Sequence, residues 1–204
     1  MNLLSISTPA SLAVHGLRWD PAPLGWEALP GGGLRVNVPG KSDYFQDPGG
    51  VLQKNDAPFL WLPISGDFVA QAHVRPTFSS TYDSGVLMAY QDETHWAKLC
   101  FEATDFGATA AVSVITNGYS DDANGADLPV SSLWLQLFRA GPVIGLHYAL
   151  DGQNWRMVRL CRLPLVDPLQ VGLVTQCPVG TGTTVDLLHF SLEQKTVRQL
   201  RTGV

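Results

Sequence analysis

A chain of 204 residues that is 45% hydrophobic but only 15% charged, against roughly a quarter charged in an average soluble domain, can build a sizeable core and has little with which to solvate exposed helices. Its net charge of −5, with 13 Lys and Arg scattered along the sequence, offers no basic patch to neutralise phosphates, which excludes nucleic acid as a partner. No apolar run reaches the ~18 residues of a membrane span, and the opening MNLLSISTPASLAV lacks the basic start of a secretory signal. A soluble, cytoplasmic protein without a membrane partner is therefore expected.

Turn-forming residues (20 Gly, 14 Pro) punctuate short apolar runs throughout. In chain order the predicted strands are Gly33–Val38, Asp67–Val74, Ser84–Tyr90, Trp96–Ala103, Ala110–Thr116, Leu133–Arg139, Val143–Leu150, Trp155–Leu160, Leu169–Gln176 and Thr184–Leu192. Strands at this spacing make a sandwich or barrel. Arg139-Ala140-Gly141-Pro142 and Asp151-Gly152-Gln153-Asn154 supply hairpin turns, so Leu133–Leu160 reads as a three-stranded meander. Patches at Leu163–Val166 and Gln194–Leu200 have room for a helical turn each. With no repeat, low-complexity tract or linker, one domain over residues 1–204 is expected.

The stretch HWAKLCFE, His95 to Glu102, is the most informative. Period two sends Ala97, Leu99 and Phe101 to a core and places Trp96, Lys98, Cys100 and Glu102 on the opposite side. An aromatic, a cation and a carboxylate in line suit a polar ligand, and a structural salt bridge from Lys98 is the competing reading. By the same alternation Trp134, Gln136 and Phe138 share a side, and Thr175 and Gln176 close a later strand. Rings beside amides and charges suit sugars, although any one tryptophan also fits a core.

Familiar catalytic signatures are absent: no G-x-S-x-G, no H-E-x-x-H, no phosphate loop and no dinucleotide fingerprint occurs. The five histidines have no metal-ligand spacing, and Cys100, Cys161 and Cys177, odd in number and far apart, fit reduced core residues rather than disulfides or zinc. SDDANGAD, Ser120 to Asp127, is oxygen-rich but lacks the calcium-loop pattern, so a turn is expected, with a structural calcium as the minor alternative. No cofactor or metal is called for. A glycoside hydrolase would need two carboxyls about 5–10 Å apart across a groove. Glu102 is the best-placed acid, with Asp43, Asp83 or Asp121 as partner.

YDSGVLMAYQDETHWAKLCFE, VSVITNGYSDDANG, LHYALDGQNWRMVRL and VGLVTQCPVGTG together resemble a concanavalin A-like family of unknown function labelled "regulation of enolase protein". The features that carry the likeness are Asp83 before Gly85, the Asp92-Glu93 turn, Trp96 with Lys98 and Glu102, and the Thr116–Asp121 segment. LRWDPAPLGWEALPGGGLRV and Asp43-Tyr44-Phe45 extend it over most of the chain. The resemblance implies an all-β, two-sheet antiparallel jelly-roll β-sandwich of the lectin and glucanase type. Combined with the alternation, it puts Lys98 and Glu102 on a concave face with Asp83 nearby. Trp96 would stand at the edge, a loop from Asn117 to Asp121 over one end, and Tyr119 or Trp155 would stack on a ligand. One departure stands out: Asp122 and Ala123 follow Asp121 where relatives often carry an aromatic. The expected function is non-catalytic binding of a carbohydrate or similar polar ligand. The alternatives are a hydrolase or lyase using Glu102, or a protein-interaction module.

Overall fold

Alternating apolar runs bounded by turn residues can only bury their apolar side by pairing into sheets that pack face to face. The computed structural model, which describes residues 1–5 and 10–204, does this with sixteen strands among the described residues. These are β1 (Arg18–Trp19), β2 (Gly25–Ala28), β3 (Leu34–Pro39), β4 (Tyr44–Gln46), β5 (Gln53–Asn55), β6 (Phe59–Ile64), β7 (Phe68–Pro76) and β8 (Ser84–Asp92). They continue with β9 (His95–Ala103), β10 (Thr109–Asn117), β11 (Tyr119–Asp127), β12 (Leu133–Ala140), β13 (Val143–Ala149), β14 (Arg156–Arg162), β15 (Leu169–Gln176) and β16 (Gly182–Glu193). One short helix, Ala10–Val14, precedes them.

The first sheet runs β1-β6-β15-β8-β9-β10-β11 and the second β14-β13-β12-β7-β16-β3-β2, with β4 and β5 as a separate hairpin. Every pairing is antiparallel, so the fold is a two-sheet β-sandwich. Among the described residues no helix is long and apolar enough to cross a membrane.

All ten predicted strands are present, with ends displaced by at most two residues, and the β12–β13–β14 meander is in place. Leu163–Val166 and Gln194–Leu200 are not helical. Ser120–Asp127 is no loop either: it is most of β11, an edge strand paired with β10 through Val114↔Asp122 and Ser113↔Ala123.

Between the sheets lies the main core, where Leu87, Leu99, Phe101, Leu135, Leu137, Leu146, Val185 and Leu187 are fully buried. The sheets meet closely at Gly85, where a Cβ would stand 2.9 Å from that of Val74. The outer face of the first sheet is also covered. Val86, Met88, Trp96, Cys100, Val112, Val114 and Val174 form a second apolar cluster with Tyr44, Phe59 and Trp61. Strands covered on both faces lose the in/out burial rhythm of a half-exposed sheet, and β9 is buried from Trp96 through Glu102. The charged row of β9 is thus not presented to open solvent, as expected from alternation, but lies beneath the β4–β5 hairpin.

Candidate functional site

The roof over the first sheet is incomplete. Between the β4–β5 hairpin, the loop after β15 and the strands β9 to β11 it leaves a cavity of about 300 Å³, lined among others by Asp43, Lys54, Tyr82, Lys98, Glu102, Asp122 and Gln176. That volume lies at the lower end of small-ligand sites.

Lys98 rises from the floor at 2% exposure. Its Nζ donates to the Tyr44 carbonyl at 2.6 Å, to Gln176 Oε1 at 3.2 Å and to Asp43 Oδ1 at 3.2 Å. An ammonium has three donors, so all are committed. Burial works against its charge, but Asp43 outweighs burial and raises the Lys98 pKa. Lys98 therefore ties the hairpin to the sheet, aided by Gln46 N donating to Ser120 Oγ at 2.9 Å and Gln46 Nε2 donating to the Glu93 carbonyl at 2.9 Å. The competing reading from the sequence, a structural ion pair, describes this lysine.

Glu102 is different. It is 8% exposed, and its carboxyl has no hydrogen bond or ion pair among the described residues. Burial pushes its pKa up to about 8; Lys98 pulls it down, and Asp122, Asp43 and Asp105 push it further up. A carboxyl so placed is largely protonated at neutral pH.

Asp122 sits across β10 from Lys98, both paired with Val114, and therefore faces the same side of the sheet. Partial desolvation by the cavity wall raises its pKa, against the pull of Lys98. Asp121 points the other way, and Arg159 Nη1 on the facing sheet donates to its Oδ1 at 3.2 Å. One step along an edge strand separates an acid in the cavity from an acid that links the two sheets.

The two non-glycine residues with positive φ among the described residues both adjoin the cavity: Lys41 at 63° and Tyr82 at 68°. Such backbone costs roughly 1–3 kcal/mol and persists only where neighbours over-determine it. Tyr82 N donates to the Ala103 carbonyl at 2.6 Å, and Asp83 Oδ2 accepts from Ser79 N and Ser80 N at 2.9 Å each. These bonds fix the Tyr82 ring at the rim beside Glu102. The Lys41 carbonyl accepts from Lys54 Nζ at 2.7 Å.

Of the eight residues expected at the site, the structure brings only Lys98 and Glu102 into one cavity. Trp96 is not at an edge but fully buried beneath the site, with Lys98 Nζ 5.5 Å from its ring centre. Asp83 is fully buried as the loop anchor just described. Asn117 and Tyr119 flank Gly118 in the tight β10–β11 turn, exposed and off the cavity. Asp121 faces Arg159, and Trp155 lines a separate 90 Å³ cavity with Gln71 and Gln136 on the second sheet. Trp134, Gln136 and Phe138 likewise belong to that other sheet. The acid pairings Glu102–Asp83 and Glu102–Asp121 are thereby ruled out.

Sequence pattern alone gives Asp122, Lys54 and Tyr82 no role at a site, and gives Asp43 only that of a catalytic partner. Asn117-Gly118 is a strong hairpin signal. Continuing the strand period from it places Ser120 and Asp122 on the Lys98 side.

The family described as "Protein of unknown function (DUF1349)" matches residues 19–195. "Regulation of enolase protein 1" of Saccharomyces cerevisiae is 28% identical over 167 residues, 79% of this chain and 81% of that protein. A crystal structure of a functionally unknown protein from Saccharomyces cerevisiae superposes with TM-score 0.82 at 26% identity, over 89% of this chain and 98% of that one. The GH43 protein BlXynB of Bacillus licheniformis gives TM-score 0.73 at 13% identity over 95% of this chain and 39% of its own, a likeness of fold alone. The fold and the match along most of its length agree: the chain belongs to the DUF1349 family of β-sandwich proteins.

Proposed function

We propose that the protein is a non-catalytic binding module that takes a small carbohydrate or similar polyhydroxylated ligand in the 300 Å³ cavity. The observation that carries this reading is Glu102, a residue more than nine-tenths buried whose carboxyl opens onto the cavity and has no protein partner among the described residues. A bound hydroxyl gives this poorly hydrated carboxyl a hydrogen bond, worth about 0.5–1.5 kcal/mol net. The Gln176 amide nitrogen, whose oxygen is taken by Lys98, supplies a donor, and the Tyr82 ring at the rim supplies a face for sugar C–H groups. The sandwich shared with a GH43 protein is compatible with such a ligand.

A hydrolase reading keeps two candidate partners, because Asp43, already engaged by Lys98, and Asp122 both share the cavity with Glu102; for the free pair, Glu102 and Asp122, separation is the obstacle. Sheet spacing puts about 16 Å between their Cα atoms, which is wide for a pair that must flank one glycosidic bond. Calorimetric titration against mono- and disaccharides, with wild type and Glu102→Ala, tests binding. Saturable binding that the variant loses supports the module, and equal binding in both removes Glu102 from it. Turnover of aryl glycosides by wild type but not Glu102→Gln decides for the hydrolase.

A further inference from the structure

We infer that the ligand of this cavity carries a protonated amine, as an amino sugar does, and that its ammonium sits on the Glu102 carboxyl in the field of Asp122. This rests on the reading of the cavity as a ligand site and adds the charge of the occupant.

The argument is an inventory of charges. Two cations line the cavity, and both are engaged: Lys98 by Asp43, Tyr44 and Gln176, and Lys54 by Asp56 Oδ2 at 2.9 Å and the Lys41 carbonyl. Asp43 is matched by Lys98. Glu102 and Asp122 remain, neither ion-paired among the described residues. An anionic ligand meets the Asp122 carboxylate and a Glu102 that ionises only beside a cation, and a neutral sugar leaves the Asp122 charge uncompensated. An ammonium cancels it, and charge-assisted hydrogen bonds are about twice as strong as neutral ones. A metal ion is the poorer fit, since among the described residues no three His, Cys, Asp or Glu converge to hold one.

Several groups surround Glu102: Lys98 and Cys100 on its own strand, Asp122 on β11, Asp43 and Lys54 on the hairpin side, Asp105 in the β9–β10 turn and Tyr82 at the rim. Cys100 is fully buried and its thiol is held well above the usual range by burial, so it does not contribute a charge. Glu102 titrates at about 8. Seating an ammonium therefore expels its proton at neutral pH, and affinity rises with pH up to that value while the ligand stays charged.

The test is calorimetry on the whole protein with glucose, glucosamine and cyclohexylamine, at about pH 6.5, in two buffers of different ionisation enthalpy. Glucosamine binding at least about tenfold tighter than glucose, the worth of one charge-assisted hydrogen bond, with release of close to one proton, supports the inference. In Glu102→Gln the preference and the proton release both vanish. Asp122→Asn, at an exposed position of the edge strand, narrows the preference while proton release persists. Equal affinity for glucose and glucosamine overturns the inference and leaves the carbohydrate reading standing. Cyclohexylamine binding as tightly as glucosamine, with no glucose binding, upholds the ammonium seat and overturns the carbohydrate reading. Absence of binding by all three overturns both.

Discussion

Both outer faces of the sandwich are covered by a segment from elsewhere in the chain, yet the two covers differ. Over the second sheet the C-terminal residues close down: Gln136 Nε2 donates to the Gly203 carbonyl at 2.9 Å, Gln71 Nε2 donates to Gln136 Oε1 at 2.7 Å, and His147 Nε2 lies 3.0 Å from the Arg201 carbonyl. Only a 90 Å³ space remains. Over the first sheet the β4–β5 hairpin leaves more than three times that volume, with the Glu102 carboxyl opening onto it without a protein partner among the described residues. The polar side chains under the C-terminal cover act as fasteners, although His147 Nδ1 is left without a partner there, whereas the Glu102 carboxyl fastens nothing and faces open cavity.

That contrast can be broken at several points. Phe101→Ala, deleting a fully buried ring packed edge-on against Phe78 at 5.2 Å, should cost ~3–5 kcal/mol in denaturant unfolding. Lys98→Met, which strips Asp43 and the Tyr44 carbonyl of their donor, should cost about 3 kcal/mol and speed hydrogen exchange at the Gln46 amide. Unchanged exchange there would mean the hairpin is held by other contacts.

Glu102→Gln sharpens the comparison by going the other way. Because the folded-state pKa of about 8 lies above the unfolded value near 4.3, the unfolded chain binds fewer protons between these values. Glu102 thus favours folding fully below about pH 4, and that contribution is lost as pH rises to about 8. The variant should melt like wild type near pH 4 and be more stable by ~3.5 kcal/mol at pH 7. A parallel pair of stability curves would show that Glu102 is ionised and matched in the fold. On the second sheet Gln136→Ala should cost ~1–2 kcal/mol with ligand affinity intact. The smallest effect belongs to Tyr82→Gly, where relief of the positive φ should bring stability within about 1 kcal/mol of wild type while weakening ligand binding.

The sequence disclosed what is locally encoded. The β12–β13–β14 meander was legible because Gly141 and Asp151-Gly152 mark its turns, and the division of β9 into two sides was legible from period two alone. What lay over the second side was not legible. Tyr44–Gln46 and Gln53–Asn55 are three residues each, too short to show a period, and they reach β9 only through tertiary contacts such as Lys98 with the Tyr44 carbonyl. β11 contains no apolar residue larger than alanine apart from Tyr119, so its polar composition reads as a loop. Trp96 and Trp155 were assigned to a common surface because residue type suggests affinity for sugars, whereas sheet order decides which surface each occupies.

The adjacent aspartates of β11 suggest an edge that could slip, and its other residues forbid it. A one-place shift in pairing would turn every side chain through the sheet, sending Asp121 toward the cavity and Asp122 toward Arg159, an exchange of like for like. Ser120, however, would be torn from Gln46 N and Thr116 Oγ1, and a side chain would arrive at the place of Gly125, where a Cβ collides with the Ala111 carbonyl. Insertion or deletion at the Asn117-Gly118 corner is accordingly a change this border strand resists.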